Sequence, residues 1–478
     1  MLRNRYPSKL APMATTLLLL VLILAPFPSV SPFSPVDYDL INCGLRAGDV
    51  VDADHRVFTG DGSRFPSSTR TVQLESTDSR LASASPLYST ARAFHYPTYY
   101  AFPIRDRGQH HLVRLHFHPV QNDYYNSYEA EFHVVANGFL LLRNFRIRKG
   151  DTFPLIKEFV IPIASEKLEI ALMPSGKSNF GFVNAIEVIS APADLIADVA
   201  QFIDVDKNER IDGLLKSGFE TLYRVNVGGF KVTPFNDSLW RTWATDDQYL
   251  ATSQGSEKIN FGGRIKYRLG GSTREVGPDN VYNSARLIRS SNGSVPSVNL
   301  TWSFEVEKGY RHMVRMHFCD IASMAAGMIY FNVYLNGNLA CANLDLSHMT
   351  NRLLASPYYA DFVTDDMSSG KLLVSVGPSN ISLPLAVDAI LNGIEIWRLN
   401  NSMSSFDGEV CAEFAWRSWR TEHRSGGFLS LVAAMLLLLS VSVYFQWRRT
   451  SSAGWSRLPV DISEVSLKSG SQFSSIKT

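Results

Sequence analysis

Apolar and polar residues alternate in many short segments along the middle of the chain. Residues 112–117 read LVRLHF and residues 313–318 read MVRMHF, so every second side chain is apolar. Residues 168–173 and 372–376 are further short segments of strand-like character. A period of two predicts half-buried β-strands, and many short strands of this kind predict antiparallel β-sandwiches.

The strand-like segments occur twice in the same order, at a spacing of about 200 residues. The matched segments are 88–92 with 282–286, 112–117 with 313–318, 132–138 with 331–337, and 182–188 with 391–396. Asn137-Gly138 and Asn336-Gly337 fall within one such pair, and Asn-Gly is a strong hairpin signal. We therefore predict a duplicated domain at 38–190 and 223–399. The linker at 191–222 mixes acidic and apolar residues, which predicts a short helical connector.

Two apolar runs near the ends of the chain predict targeting and anchoring. Residues 1–31 combine basic residues, a short apolar run and a small-residue exit, as a secretory signal peptide does. Residues 428–446 include an uncharged run long enough for one transmembrane helix. The juxtamembrane segment 400–427 is then extracellular, and 447–478 is a short disordered cytoplasmic tail. An uncleaved anchor and a buried core helix are the alternative interpretations of the two runs.

Composition excludes several classes of protein. Lys and Arg number 46 against 45 Asp and Glu, so a net charge of +1 argues against a nucleic-acid-binding protein. Hydrophobic residues make up 45% of the chain, which argues against general disorder. The 4 cysteines are too few for a small disulfide-built scaffold. Sequons that support an extracellular location begin at Asn236, Asn292, Asn299, Asn380 and Asn400.

Motifs at the start of each repeat carry a resemblance to a known family. Residues 41–44 (INCG), followed by a Gly-Asp turn, resemble the start of a malectin-like domain. Residues 223–229 (YRVNVGG) and 239–243 (LWRTW) resemble the start of a second one. Tandem malectin-like domains before one membrane helix resemble the ectodomains of FERONIA/THESEUS-type plant receptor-like kinases. The resemblance implies an all-β protein, with two tandem malectin-like antiparallel β-sandwiches plus one transmembrane helix.

The resemblance also implies a function at the plasma membrane. Family members continue into a cytoplasmic kinase, whereas residues 447–478 contain no Gly-rich nucleotide loop, no His-Arg-Asp and no Asp-Phe-Gly. We therefore predict a kinase-less receptor-like protein, not an enzyme, that binds cell-wall glycan or a secreted cysteine-rich peptide. A lipid-anchored co-receptor or a kinase-bearing relative is the implied partner. A wall-anchored structural glycoprotein and a truncated receptor-kinase product are the alternatives.

Clustered tyrosines are the candidate ligand-binding residues. They are Tyr124, Tyr125 and Tyr128 in a polar loop, Tyr99 in a second cluster, and Tyr358 and Tyr359 in the second repeat. Flat rings offer apolar faces to sugars or peptides at little entropic cost, and neighbouring amides and carboxylates can fix hydroxyl groups. Packing of these rings inside the sandwiches is the alternative interpretation.

Metal chemistry has little support in the sequence. His116 and His118 lie on one strand face at a spacing that suits a metal, but no carboxylate-rich segment completes a site. Residues 204–215 resemble a calcium loop but lack its central glycine and its final glutamate. We therefore predict no metal and no cofactor.

The cysteines allow one disulfide within the second repeat. Cys319 ends a strand and Cys341 follows the next strand pair, so these two are the candidate partners in an oxidising compartment. Cys43 and Cys411 lie far apart in sequence. They either pair with each other or leave Cys43 as a buried thiol.

Overall fold

The computed structural model describes residues 33–62, 71–77, 85–120, 124–151, 153–175, 180–252, 255–289, 298–365, 369–382 and 387–451, of which 418, 420–430 and 450–451 are described by their backbone alone. The predicted signal peptide, the tail from residue 452 and the sequon at Asn292 lie outside these residues. Residues up to Trp419 belong to one compact unit, and residues from Arg420 belong to a second.

The first unit is built almost entirely of β-strands. In the first half these are β1 (Tyr38–Asn42), β2 (Asp49–Val51), β3 (Val57–Gly60), β4 (Thr71–Glu75), β5 (Thr90–Phe94), β6 (Thr98–Pro103), β7 (Gln109–Phe117), β8 (Phe132–Ala136), β9 (Phe139–Phe145), β10 (Leu155–Ile163), β11 (Lys167–Pro174), β12 (Gly181–Val183) and β13 (Ala185–Ser190). A hairpin follows, made of β14 (Ala200–Asp204) and β15 (Lys207–Ile211).

The second half repeats this strand-rich character. Its strands are β16 (Phe219–Asn226), β17 (Ala244–Thr245), β18 (Leu250–Thr252), β19 (Ser256–Asn260), β20 (Ser284–Arg289), β21 (Leu300–Glu305), β22 (His312–Cys319), β23 (Tyr330–Leu335), β24 (Asn338–Asp345), β25 (Pro357–Thr364), β26 (Lys371–Pro378), β27 (Val387–Leu391) and β28 (Gly393–Leu399). The helices are α1 (Asp279–Tyr282), α2 (Leu346–Met349) and α3 (Ala412–Ser451), with 3-10 turns at Pro86–Tyr88, Ser127–Glu129, Leu214–Lys216 and Pro234–Asn236.

One large sheet runs through both halves. Its order is β15-β14-β25-β22-β28-β16-β10-β7-β13-β1-β3-β2, with β17 beside β16. Sheets β6-β11-β8-β9 and β12-β5-β4 complete a sandwich around the first core, and sheets β18-β21-β26-β23-β24 and β19-β20-β27 complete a second. The sandwiches meet where β10 pairs with β16, at Phe159 opposite Glu220. The predicted fold, all-β with two tandem antiparallel sandwiches, is confirmed.

Two hairpins show why the sequence specifies these turns. Asn137 and Gly138 join β8 to β9 with φ of 43° and 90°, and Asn336 and Gly337 join β23 to β24 with φ of 50° and 83°. A two-residue turn with positive φ at both positions suits the twist of the strands, and Asn and Gly adopt it at low cost. Both predicted Asn-Gly hairpins are therefore confirmed.

Strand β7 buries both of its faces, although its alternation predicts a half-buried strand. Val113 and Leu115 enter the first core, while Arg114 and His116 on the opposite face are only 3% and 1% exposed. That face is covered by a third apolar cluster, the interdomain core. It includes Leu112, Val160 and Ile189 of the first half, Leu195 and Phe202 between the halves, and Leu239, Met313 and Trp397 of the second half. The two sandwiches are thus joined by buried apolar surface as well as by a shared sheet.

The helical connector predicted within residues 191–222 is wrong. β14 and β15 form an antiparallel hairpin there, with Ala200 opposite Ile211. Phe202 enters the interdomain core and the next residue, Ile203, enters the core of the second sandwich. Neighbouring residues that point to opposite faces define a strand. β14 therefore extends the shared sheet by pairing in parallel with β25.

A chain of buried ion pairs crosses the five central strands of the shared sheet. Glu187 on β13 pairs with Arg114 on β7 at 2.8 Å, and Arg114 pairs with Glu158 on β10 at 2.6 Å. Glu158 also pairs with Arg224 on β16 at 2.7 Å, and Arg224 pairs with Glu395 on β28 at 2.7 Å. Charges therefore alternate from the first sandwich into the second, one residue on each strand.

The pKa values of the carboxyl groups in this ion-pair chain reflect the arginines. Burial alone raises the pKa of Glu158, but Arg224 and Arg114 outweigh burial and hold it well below its ordinary value. The same balance, with Arg224 as the main partner, lowers the pKa of Glu395 to about 2. Both groups stay ionised, as a buried carboxylate between arginines must.

Acid is expected to destabilise the fold through its buried histidines. Burial lowers the pKa of His110, His133 and His312 to about 4, against about 6.5 in an unfolded chain. Between these values the unfolded state binds more protons, so the free energy of unfolding falls as the pH falls from about 6.5 to about 4. Urea unfolding at about pH 7 and about pH 5 measures the loss.

Substitution of a single buried histidine tests whether such residues cause this pH dependence. His312→Gln should reduce the pH dependence between those two values by the contribution of one group. Val205→Ala, an exposed change that alters no titratable group, is the control and should leave the pH dependence unchanged. A stability that is flat across this range, or a slope that His312→Gln leaves intact, would contradict the assignment.

After β28 the chain returns to the first sandwich as a strap, residues 400–416. Leu140 N–H donates to Ser404 C=O at 2.9 Å, and Phe406 N–H donates to Leu140 C=O at 3.1 Å. The Phe406 side chain is fully buried in the first core, 5.3 Å from the Phe159 ring. Trp416 stacks on Tyr99 at 5.8 Å with an interplanar angle of 13°. The strap therefore closes the outer face of the first sandwich.

The second unit contains the rest of α3. Leu431–Arg449 is long and apolar enough to cross a membrane, by length and composition, and none of it is buried. This stretch overlaps the predicted span 428–446. Among the described residues it is the one helix with this character.

Candidate functional site

A cavity of about 610 Å³ lies beside β25 in the second sandwich. Residues 357–362 of β25 form one wall, and Gln201 and Arg210 of the β14–β15 hairpin form another. Arg268, the residues 270–272 that follow it, and Cys341 of β24 also line the cavity. The volume falls within the range of about 300–1,000 Å³ that is usual for ligand sites.

The predicted pair Tyr358 and Tyr359 lies in this cavity, but the two rings do not form one platform. Tyr358 faces the second core, with its ring 6.2 Å from that of Phe318. Tyr359 faces the other way, and the Arg315 guanidinium lies 4.2 Å from its ring centroid. Successive strand residues point to opposite faces, so this separation follows from the sequence position. Burial raises the pKa of Tyr358 to about 12, so its hydroxyl is neutral and can donate a hydrogen bond.

The charges of the cavity are predominantly positive. Asp361 is neutralised by Arg315, whose Nε lies 2.7 Å from Oδ1 of the carboxylate. Arg268 donates from Nη2 to the Met349 carbonyl at 2.9 Å, and Arg210 is exposed on β15. Two arginines therefore remain to meet a ligand that carries negative charge or carbonyl groups.

A second cavity, of about 590 Å³, lies between the sandwiches. Asp52, Asp54 and Tyr88 contribute from the first sandwich, and Lys231 and Phe235 contribute from the second. Its charged side chains have both signs, so this cleft does not favour a negatively charged ligand as the β25 cavity does. Phe235 is 67% exposed at its rim, which is unusual for an aromatic side chain.

The tyrosines predicted in the first sandwich do not join the β25 cavity. Tyr124 is 89% exposed in its loop. Tyr125 packs against the first core, and its hydroxyl lies 3.0 Å from His95 Nε2. Tyr128 also packs against that core, and Tyr99 is covered on one face by Trp416. Of the three tyrosines in this loop, Tyr124 has the most exposed ring, and its ligand role stays a prediction.

The predicted Cys319–Cys341 disulfide is not formed in the structure, where both residues are free thiols. Cys319 ends β22 in the shared sheet and packs with Ile265 and Tyr282, whereas Cys341 lies on β24 in the facing sheet. Burial raises the pKa of both thiols, which keeps them unreactive. Cys43 is fully buried and also free, in agreement with the alternative of a buried thiol.

The sequons differ in how accessible their asparagines are. Asn236 and Asn380 are exposed, so their side chains are open to a glycan. Asn299 and Asn400 are partly buried. Asn400 accepts from the Gly218 N–H at 2.6 Å and donates to the Asn401 carbonyl at 2.7 Å. Glycosylation at all of these positions stays a prediction.

His116 on β7 belongs to the buried polar network, whereas His118 follows the strand and is only partly buried. His116 lies 2.8 Å from Glu187 and 2.9 Å from the Tyr88 hydroxyl, and His118 contacts the Pro119 carbonyl at 3.1 Å. Within the described parts of the chain, no group of three His, Cys, Asp or Glu side chains could hold a metal ion. The network repeats in the second sandwich, where His317 lies 3.1 Å from Glu395.

Sequence reasoning missed Gln201, Arg210 and Arg268 as cavity residues. They come from segments far apart in the chain, and two of them lie in the hairpin that was expected to be helical. No local pattern marks them. The buried polar residues could have been found from the sequence, because Arg114 and His116 recur as Arg315 and His317 in the second repeat.

The tandem sandwiches, their shared sheet and the apolar helix define a class of two-domain β-sandwich proteins with one candidate membrane span. Residues 41–399 match the model of the malectin-like domain, which is three quarters of the chain. The chain therefore belongs to the malectin-like family.

Curated relatives agree with this assignment. A probable receptor-like protein kinase of Arabidopsis thaliana is 39% identical over 438 residues, which cover 90% of this chain and 52% of the relative. Receptor-like protein kinase THESEUS 1 of the same plant is 36% identical over 381 residues, which cover 79% of this chain and 43% of the relative. The chain spans about half the length of the curated relatives it matches.

Solved structures agree as well. The ANXUR1 extracellular domain from Arabidopsis thaliana is 27% identical, with a TM-score of 0.69 over 77% of this chain and 98% of that one. A structure of the plant peptide RALF23 in complex with FER and LLG2 is 28% identical, with a TM-score of 0.67 over 78% of this chain and 97% of that one. The described sandwiches thus have the same fold as these two ectodomain structures.

Proposed function

We propose that this chain is a receptor-like protein of the plasma membrane, whose ectodomain binds a secreted peptide or a cell-wall glycan. The observation that carries the proposal is the cavity beside β25, with its positive charge and its two partly buried tyrosines. A rigid, concave site on a scaffold held by one membrane helix suits recognition of an extracellular ligand. The ectodomain would present the site outside the cell.

Similarity to solved structures supports peptide recognition and a co-receptor. One neighbour was solved with the peptide RALF23 and with LLG2, so a related ectodomain assembles with both. We propose by analogy a secreted cysteine-rich peptide and a lipid-anchored co-receptor as partners of this chain. A kinase-bearing relative would supply the cytoplasmic signal. This part of the proposal rests on analogy between folds as well as on the cavity.

Binding of the full chain in lipid nanodiscs to secreted cysteine-rich peptides and to pectic fragments tests this function. We expect a saturable response to one of these ligands. Arg268→Ala should weaken it by about tenfold, because a charge-assisted hydrogen bond contributes about 1.5–3 kcal/mol. Arg264→Ala, an exposed change nearby, is the matched control.

Two further results would separate the alternatives. A response that is lost in Tyr124→Ala and kept in Arg268→Ala would move the site to the exposed loop of the first sandwich. Salt-sensitive retention by pectin with no saturable ligand would favour a wall-anchored structural glycoprotein. The absence of any binding would contradict the proposal.

A further inference from the structure

The first part of β25 has main-chain groups that face the cavity. Asn392 N–H donates to the His317 carbonyl at 3.0 Å, so the main-chain groups of His317 face β28. His317 lies opposite Tyr359 on β25. In an antiparallel pair, opposing residues alternate between bonded and non-bonded positions. The N–H and C=O of Tyr359 therefore point away from β22, toward the other edge of β25.

No described strand occupies that edge at Tyr359. β14 pairs with β25 only at Phe362 and Val363. Before that point the segment leading into β14 forms no strand, and its residues Ala197 and Val199 line the same cavity as Tyr359. The cavity therefore takes the position that a neighbouring strand would fill. A strand edge of this kind is a template for an added strand.

The charges around this edge favour an acidic ligand. Arg210 and Arg268 line the cavity, and Asp361 is already paired with Arg315. Asp194 lies close by and accepts from Thr273 Oγ1 at 2.8 Å, which offsets part of the positive charge. A positive surplus remains, and arginine fits a carboxylate through two parallel hydrogen bonds.

The same geometry argues against a sugar in this cavity. Sugar rings stack on flat aromatic faces, whereas the rings of Tyr358 and Tyr359 point to opposite faces of β25. What the edge of β25 offers before β14 is the N–H and C=O of Tyr359, a main-chain donor and acceptor with the spacing of a β-ladder. A peptide backbone matches that spacing, and a sugar does not.

We propose that the β25 cavity binds an acidic peptide segment in extended conformation, which adds to β25 as a strand at Tyr359. This inference rests on the proposed function and deepens it, because it makes a peptide the ligand of the cavity. Main-chain hydrogen bonds supply affinity, and Arg210 and Arg268 select acidic side chains. The proposed binding is noncovalent, so no covalent bond is formed or broken.

A displayed library of random linear peptides, selected on the full chain in lipid nanodiscs, tests the proposal. We expect selected peptides to carry acidic residues and to slow amide hydrogen exchange at Tyr359. N-methylation of the selected peptide at alternate residues should weaken binding by about tenfold or more, because it removes the donors that face β25. N-methylation at the intervening residues should have little effect, since these face away.

Charge reversal on the hairpin supplies the matched variants. Arg210→Glu should weaken binding of the selected peptides by about tenfold or more. Lys207→Glu makes the same change of charge on the same strand outside the cavity and should leave binding intact. Equal thermal midpoints for the two variants would show that both fold.

The outcomes separate this inference from the proposed function. Selected peptides that tolerate N-methylation at every position, or that leave exchange at Tyr359 unchanged, would overturn strand addition while ligand recognition stands. Protection of Tyr359 by a wall oligosaccharide, or by a second copy of the chain, would overturn the proposed occupant. The absence of binding to peptides and wall fragments alike would overturn both proposals.

Discussion

Replacing Glu158 by Ala is expected to lower the free energy of unfolding by about 3–5 kcal/mol, because it leaves buried charges without a partner. The Glu158 carboxylate accepts from Arg114 at 2.6 Å and from Arg224 at 2.7 Å. Arg114 belongs to the first sandwich and Arg224 to the second. The substitution therefore removes the central member of the ion-pair chain at the junction of the sandwiches.

Denaturant unfolding of the full chain measures this effect. Glu166→Ala is the control, since Glu166 pairs with Arg107 at the surface, where the two side chains are 77% and 54% exposed. A surface pair contributes about 0–1 kcal/mol. If Glu158→Ala costs no more than Glu166→Ala, the ion-pair chain does not stabilise the junction.

Phe406→Ala is expected to cost about 3–5 kcal/mol, the usual loss for a buried phenylalanine. Phe406 lies on the strap, beyond the last strand of the second sandwich, yet its ring fills the first core between Phe139 and Phe159. A cavity there would be lined by Phe139 and Phe159 of the first sandwich. We also expect faster proteolysis of residues 400–411, since the strap would lose its anchor.

Phe414→Ala is the matched control on the same segment. Phe414 is 49% exposed, and its ring lies 5.8 Å from the Arg143 guanidinium. Its removal should change the thermal midpoint only slightly, because an exposed substitution usually alters stability by about 0.5 kcal/mol or less. Similar losses for Phe406→Ala and Phe414→Ala would mean that the strap does not belong to the first core.

Much of the fold could be predicted because its signals are local. Alternation places Val113 and Leu115 on one face of β7, and Asn137-Gly138 fixes the hairpin that follows β8. Pairing between β10 and β16 has no local signal. It depends on residues about sixty positions apart that meet only when both sandwiches form. The shared sheet was therefore beyond the reach of sequence patterns.

The candidate site was harder to predict for the same physical reason. Tyr358 and Tyr359 were found by residue type, but their adjacency on a strand already forbade a common aromatic platform. Arg210 and Arg268 meet at the cavity through tertiary structure alone. The sequence also predicts a solvent-exposed face for β7, because Arg114 and His116 are polar. Both side chains are nevertheless buried. A repeated Arg-x-His motif was the available clue.

The strap has a mechanical consequence. Tension applied to the chain beyond residue 416 passes along the backbone and meets first the packing of Ala415 and Trp416 on the first sandwich, and then the hydrogen bonds between the strap and Leu140. The buried Phe406 ring also anchors the strap there, so the first sandwich bears the tension before it reaches β28. The second sandwich, with its cavity, is thereby shielded from tension applied beyond the strap and can keep its shape under that load.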